Sequence, residues 1–527
     1  MDDLYDQLNQ YPSQQKYLYR FGYLITDSQT DFHANFPILQ SWNGYSCGAY
    51  RLWVHPDQTL FLCQKEDTTL FLIGHCYDPF SMEWDEQVIL KQLADKLSLG
   101  HDAYCRRLND LTGIFVTGWI SPSGLTIYTD AAGMLMCYYG YASGCLYLSS
   151  HARLLGDLCG LMQSPYVQRL TSYRYYPLFG LMLPGDLSPY SEFKRLLPNH
   201  SAHFSGGSIH LERFYPTDEW DALEHQFSLG ERTEYITAVL KNTMALIPHK
   251  WARPAISTTG GCDSKTTLAC ANGNYAQYQY FSYVSQPSEQ LDATGAQQIC
   301  KHLGLSHSIY KIPENTQDFP LYDLSCKIME YNSGSIGSIK PHEARKRIFL
   351  SELDAFDVEV KSWVSEIARA YYCKRFQKEH FPENPTGRYL TSLYKVFVHD
   401  RRLVHETDQI FSRYIDTFLS EGKLHRWPWL DLFFWEFRVG AWNGLVITGE
   451  HRYAFDITIP YNNRHLLELM LAIPVKLRIE DTLYTKIREL ANPNVDQAGV
   501  SITNMMHTDR RAKMERAYLE VHSRLPV

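Results

Sequence analysis

The stretch Ala255-Ile256-Ser257-Thr258-Thr259-Gly260-Gly261-Cys262-Asp263-Ser264-Lys265 decides how this chain is read. A short apolar run leads into two glycines, then an acid and a hydroxyl. Behind them, Thr266-Thr267-Leu268-Ala269-Cys270-Ala271 is a helix-like run. The pattern predicts strand, tight loop and helix. Gly260 and Gly261 carry no Cβ, so the backbone there can approach a ligand closely. Free N–H groups at the start of the following helix make an anion site. Ser264 can donate to a phosphate oxygen and Asp263 can hold a magnesium ion. The same residues also suit a plain Gly-Gly turn capped by an Asp or Ser side chain.

Outward from the loop, the signals continue the alternation. Upstream, Ser228 and Glu231 have the spacing of a capping box, and Tyr235, Ile236, Val239, Leu240 and Met244 trace an amphipathic helix. Downstream, residues 279–284 predict a strand, residues 289–304 a helix closed by Gly304, and residues 307–312 a third strand. Such alternation predicts a parallel, doubly wound sheet, with ligands at the C-terminal ends of its strands. Residues 374–450 predict helices, with Trp427, Trp429, Phe433, Phe434 and Trp435 as core. Residues 1–215 read mainly as strands, at 17–26, 50–55, 69–75, 113–120, 125–129 and 145–149. Helices are expected at 85–97, 167–175 and 176–183, and a polar joint at 218–223.

With 527 residues, two or more domains are expected. The net charge of -8 favours neither nucleic acid nor an acidic membrane surface. The 37 tyrosines are scattered, without the clustered lysines and arginines of an RNA surface. Twelve cysteines without a CxxC pair, several inside apolar runs, predict reduced thiols and a cytoplasmic protein. Met1-Asp2-Asp3-Leu4-Tyr5 has neither a basic nor an apolar region, so no signal peptide is expected, and no apolar run approaches the ~20 residues that span a bilayer.

The order Gly-Gly-x-Asp-Ser resembles the Ser-Gly-Gly-x-Asp-Ser loop of ATP pyrophosphatases that convert ATP to AMP, with Thr259 in the first serine's place. The N-terminal phrases resemble the glutaminase domain of asparagine synthetases. They are Gly74-His75-Cys76-Tyr77-Asp78, Leu111-Thr112-Gly113-Ile114-Phe115 and Tyr128-Thr129-Asp130-Ala131-Ala132-Gly133. Asp456-Ile457-Thr458-Ile459-Pro460-Tyr461-Asn462-Asn463-Arg464 is similar to that family's Glu-x-Arg-x-Pro-Phe-Leu-Asp. The resemblance implies an α+β N-terminal sandwich of the Ntn-hydrolase type over residues 1–215. An α/β ATP-pyrophosphatase domain (adenine nucleotide alpha hydrolase-like) with a helical C-terminal part would follow over residues 228–527. It implies ATP and Mg2+ as cofactors. Ser257, Thr258, Thr259, Gly260, Gly261, Asp263 and Ser264 would hold the nucleotide, and Asp263 with Asp292 the metal. Asp292 suits an ordinary helix N-cap equally well.

Lys361-Ser362-Trp363-Val364-Ser365-Glu366 stands where the family carries Gly-Glu-Gly-x-Asp-Glu, followed by an aromatic residue for which Tyr371 and Tyr372 are candidates. Glu366 fits the last acid, while Ser362 and Ser365 replace two others. A surface ion pair between Glu366 and Arg369 is the plainer alternative. The family's Gly-Lys-x-x-Leu-Arg corresponds to Leu483-Tyr484-Thr485-Lys486-Ile487-Arg488, which puts Tyr484 on the lysine position and leaves Lys486 or Arg488 to supply charge. The family's glutaminase needs an N-terminal cysteine. This chain begins Met1-Asp2-Asp3 and its first cysteine is Cys47, so glutamine hydrolysis is expected to be lost. The resemblance therefore points to the branch holding β-lactam synthetases and lasso-peptide cyclases. It implies an AMP-forming amide ligase acting on a small-molecule or peptide carboxylate, with a precursor peptide or a biosynthetic protein as partner. An ammonia-fed asparagine synthetase-like enzyme and a non-catalytic ATP- or partner-binding relative are the alternatives.

Overall fold

Ala255 and Ile256 are fully buried in the strand Pro254–Ser257, the centre of a five-stranded parallel sheet. The structure, a computed structural model, describes residues 3–217, 227–398, 400–419, 424, 427–500 and 510–524. From one edge to the other the sheet runs His307–Lys311, Gln279–Val284, Pro254–Ser257, Val358–Val360 and Asp456–Thr458. Every neighbouring pair is parallel. The strand order reverses between Pro254–Ser257 and Val358–Val360, which opens a crevice beyond their C-terminal ends.

Local signals explain the flanking helices. The helix Leu229–Lys250 starts on the capping box: the Glu231 N–H donates to Ser228 Oγ at 3.3 Å, and the Ser228 N–H donates to Glu231 Oε2 at 2.9 Å. The helix Gln290–His302 ends because Gly304 takes φ +71°, which lets the Leu305 N–H donate back to the Cys300 carbonyl at 2.8 Å.

The N-terminal half holds two six-stranded antiparallel sheets. In one, Tyr23–Thr26 lies between Cys145–Ser149 and Tyr50–Val54; in the other, Thr112–Ser121 lies between Gly124–Thr129 and Thr68–Tyr77. The sheets face one another, with Tyr139 of the first reaching Phe204 of the second at 5.7 Å between ring centroids. The fold is thus mixed, with antiparallel sheets first and a parallel sheet after. All twelve cysteines are free thiols, and no helix among the described residues is long and apolar enough to cross a membrane.

Two expected elements are shorter than the sequence suggests. The strand expected at 17–26 is only Tyr23–Thr26, because Pro12–Tyr17 is a 3-10 turn and Tyr19 and Phe21 adopt positive φ. The helix expected at 176–183 is the single turn Tyr176–Phe179, which stops at Gly180 with φ +91°. The joint at 218–223 lies outside the described residues. Of the basic tail, Arg510–His522 forms a helix.

The segment Tyr461-Asn462-Asn463-Arg464 locks the two halves together. Asp130, wholly buried, accepts from the backbone N–H groups of Phe115, Ala132, Met134 and Leu135 at 2.8–3.2 Å. Asn462 Nδ2 adds a fifth bond to Asp130 at 2.9 Å and donates to the Gly113 carbonyl at 2.6 Å. Asn462 Oδ1 in turn accepts from the Ala132 N–H at 2.9 Å. Arg464 donates to the carbonyls of Thr129 and Asp130 and to Asn199 Oδ1. Asn462→Ala strips partners from three buried groups. It is expected to destabilise the protein by roughly 2–5 kcal/mol, since each buried hydrogen bond lost costs about 0.5–1.5 kcal/mol and one to a charged group about 1.5–3 kcal/mol. Denaturant unfolding monitored by tryptophan fluorescence checks this; an unchanged midpoint would remove the lock from the account.

Candidate active site

The two strands at the reversal point deliver their following residues into one cavity of about 820 Å³. From the first come Ser257, Thr259, Gly261, Asp263 and Ser264, and from the second Lys361, Ser362, Trp363, Glu366, Arg369 and Tyr371. Eight lysines and arginines line it against four carboxylates, so the cavity favours an anionic ligand.

The loop is held by its own hydroxyls. The Thr259 N–H donates to Ser264 Oγ at 2.8 Å and the Gly261 N–H to Thr259 Oγ1 at 3.2 Å. Gly261 has φ -73°, so its glycine is not required by backbone twist; a Cβ there would stand 3.2 Å from Thr259 Oγ1. The helix Cys262–Cys270 then begins with no side-chain cap, leaving its first N–H groups to whatever enters the cavity. Thr258 lies beneath the loop instead, bonded to the Phe281 carbonyl through its N–H at 2.8 Å and its hydroxyl at 3.2 Å. Uncapped helix start, hydroxyls, cationic walls and volume together fit a nucleotide triphosphate.

Magnesium fits less directly. Asp263 already pairs with Arg369 Nη1 at 2.5 Å and accepts from Ser365 Oγ at 2.8 Å. Asp292 stands on the helix Gln290–His302 and is not among the residues lining this cavity. Among the described residues no group of three His, Cys, Asp or Glu side chains could hold a metal. Each Asp263 oxygen thus already has a protein partner.

Glu366 sits in the 3-10 segment Ser365–Arg369 and accepts from Asn443 Nδ2 at 3.1 Å. Burial, with Asp263 nearby, pushes its carboxyl above the usual range. The surface Glu366–Arg369 pair does not form. Arg369 turns to Asp263 and, through Nε and Nη2, to Asp481 at 2.8 Å each. Tyr371 faces the cavity and stacks on Phe434, with centroids 4.5 Å apart, whereas Tyr372 is 3% exposed and packed among Phe376, Phe433 and Phe434.

The two basic candidates are placed elsewhere. Arg488 Nε donates to Asp496 at 2.7 Å and its Nη1 to Thr266 Oγ1 at 3.1 Å, bracing the back of the loop helix. Lys486 is half-exposed on the same helix, Thr482–Ala491, and does not line the cavity. Tyr484 donates its hydroxyl to the Ser365 carbonyl at 2.6 Å and so holds the segment that carries Glu366. Sequence reasoning missed Lys361, Arg438 and Trp442, and the contribution of Gly180 and Leu181 from the N-terminal half. Lys361 opens the stretch read for Glu366 but has no role in that reading, and the others lie in no local motif. Arg369 carries one weak signal, its position three residues after Glu366.

No family model matches the chain, and no curated protein matches it. Among solved structures it is similar to a glutamine phosphoribosylpyrophosphate amidotransferase from B. subtilis complexed with ADP and GMP. The identity is 11% and the TM-score 0.22, over 69% of this chain and 73% of that one. It is also similar to a glutamine-dependent NAD+ synthetase from Acinetobacter baumannii in complex with ADP, at 14% identity and TM-score 0.18, over 44% of this chain and 40% of that one. Likeness at these scores carries no argument about this chain; the site's own geometry carries it.

The cavity's far side holds Glu450, whose carboxyl burial pushes up to about 7, with Glu343 adding to the effect and Arg347 opposing it. A raised acid favours the folded state while it is protonated. That contribution is complete below pH 4.5, the ordinary value, and is lost as pH rises through 7. Relative to the wild type, Glu450→Gln is therefore expected to gain about 3 kcal/mol between pH 4.5 and 8. Denaturation series across that range measure the gap, and a gap independent of pH would contradict the assignment.

Proposed function

We propose that this chain is an ATP-dependent carbon–nitrogen ligase that releases AMP and diphosphate. The observation that carries the reading is one juxtaposition. A glycine loop with an uncapped helix start and a half-buried carboxylate of raised pKa share a cationic cavity at a strand-order reversal.

In this reading a carboxylate oxygen attacks the α-phosphorus of ATP, and the α–β bridging P–O bond breaks to release diphosphate. An amine nitrogen then attacks the activated carbonyl carbon, and the C–O bond to AMP breaks. The loop N–H groups, with Thr259 and Ser264, hold the phosphates. Glu366 takes the proton that the amine loses, a task suited to an acid whose pKa lies nearer neutrality. Tyr371 orients the amine. Arg369, rather than Lys486 or Arg488, offsets charge developing beside the loop. No step is assigned to magnesium, because Asp263 is held by Arg369.

Cys47 is buried at the end of the strand Asn43–Cys47, so this first cysteine is not placed to release ammonia from glutamine. The amine therefore comes with the substrate, and lactam or macrolactam formation follows, because a site that holds both ends lowers the entropic cost of ring closure. The carboxylate belongs to a small molecule or to a peptide, with a precursor peptide or a biosynthetic protein as partner. A second reading, a non-catalytic nucleotide-binding relative, draws on the Asp263–Arg369 pair and on Tyr484 in place of a lysine.

ATP–pyrophosphate exchange against a panel of carboxylates and peptides, run with and without added magnesium, tests the proposal. Exchange is expected with one substrate class, absent in Asp263→Ala and retained in Glu366→Gln. Amide formation by Glu366→Gln is expected to fall about 10²–10⁴-fold, the usual worth of a positioned base. ATP binding without exchange on any substrate would favour the non-catalytic reading, and amide formation only with added ammonia would favour the ammonia-fed one.

A further inference from the structure

The cavity has a second wall to which the proposed chemistry assigns no role. Arg375, Arg438 and Arg511 line it, and Lys395 lies behind them in a small pocket that the same three arginines border. Glu515 bonds to Arg375 Nε at 2.6 Å and to Arg511 Nε at 3.0 Å. Lys395 is 2% exposed and donates only to backbone carbonyls, of Gly180 at 2.6 Å and Tyr176 at 3.3 Å. Burial, with Arg438 and Arg511 beside it, pulls its ammonium well below the usual lysine range.

Arg438 is half-buried and lines the cavity. Its guanidinium meets ring faces, 5.2 Å from the Tyr371 centroid and 5.6 Å from the Trp442 centroid. No carboxylate of the described residues bonds to it, so the planar fork that suits a carboxylate is unused. The rings form a shelf. Tyr371 stacks on Phe434 at 17° between planes, and Trp442 keeps 38% of its surface exposed. Gly180 closes the shelf from the N-terminal half, where an added Cβ would lie 3.5 Å from the indole. Tyr371 follows two residues after Arg369, which bonds Asp263, so the shelf and the glycine loop open into one space.

We propose that this wall is a recognition subsite for a second acidic group of the substrate, a carboxylate on an aromatic or apolar body, with the anion on Arg438 and the body along Tyr371 and Trp442. The inference rests on the ligase reading only in taking the bound compound to be the acyl substrate. A carboxylate presented to the loop for activation then leaves the other at Arg438. The acyl substrate is thereby a dicarboxylate with a flat or greasy spacer.

Titration calorimetry on the full chain tests this with isophthalate and phenylsuccinate, isophthalamide as the uncharged counterpart, and ATP. The dicarboxylates are expected to bind at least tenfold more tightly than isophthalamide. Arg438→Gln is expected to weaken them at least tenfold and Arg438→Lys less, with ATP affinity unchanged within twofold. Trp442→Ala, at a partly exposed position, is expected to weaken them about fivefold and stands in if Arg438→Gln does not fold. Dicarboxylate binding that is absent, or equal in wild type and both variants, would overturn the subsite. So would a parallel loss of ATP affinity in Arg438→Gln, which would assign the arginine to the nucleotide's phosphates. ATP binding with the dicarboxylates ignored would sink this inference and spare the ligase reading. Arg438-dependent dicarboxylate binding without ATP affinity would do the reverse.

Discussion

A carboxylate taken wholly out of water must find its hydrogen bonds inside the protein, and Asp130 finds them in both halves of the chain. Four come from its own sheet and the turn that follows; the fifth comes from Asn462, more than three hundred residues away. Removing either side leaves polar groups stranded in a dry interior. The lock also reaches the parallel sheet. Asn462 lies just beyond the edge strand Asp456–Thr458, and Tyr77 and His75 of the antiparallel sheet approach Thr458 and Asp456 directly, at 3.0 and 3.4 Å. The position of that edge strand, and through Val358–Val360 the position of Ser362 and Glu366, depends on the N-terminal sandwich.

Charge within the cavity is arranged as a chain of pairs. Asp263 holds Arg369, Arg369 holds Asp481, and Asp481 also takes Lys374 at 2.5 Å. Behind the loop, Asp496 ties Lys265 and Arg488 together. The cations that face the cavity come from the strand ends and the helical region, while those on Thr482–Ala491 work from the rear. Tyr484 shows the same division. It offers no charge to the cavity, yet its hydroxyl fixes the backbone that presents Glu366.

Much of the scaffold is legible in the sequence because its signals are local. The strand Gln279–Val284, the capping box at Ser228 and the stop at Gly304 each depend on residues within a few positions of one another. The glycine loop is legible because close approach and a free helix start need those residue types in that order. What eludes the sequence is long-range. Tyr371 and Tyr372 are chemically identical neighbours, and only packing against Phe434 and Phe376 decides which one faces the cavity. Lys486 and Arg488 share a helix whose facing is set by the loop helix and Asp496. The expected helix at 176–183 fails for a local reason that composition hides, since Gly180 adopts a backbone twist that ends the turn. The motif around Asn462 stands out in the sequence, but its part in joining the halves appears only once Asp130 is beside it.

The order of strands in the parallel sheet has a consequence for how the protein is made. Val358–Val360 gains its outer neighbour only when Asp456–Thr458 has been synthesised, nearly a hundred residues later. At typical translation rates that interval lasts about 5–20 s, far longer than local helices need to form. Throughout it, one edge of the strand Val358-Glu359-Val360 on the growing chain has no partner, and Asp130, already synthesised, lacks its fifth donor. An open edge of this kind pairs readily with other chains. Nascent copies on one crowded message are therefore exposed to one another during that interval, and the safe yield of the protein depends on whatever shields the edge until the last strand arrives.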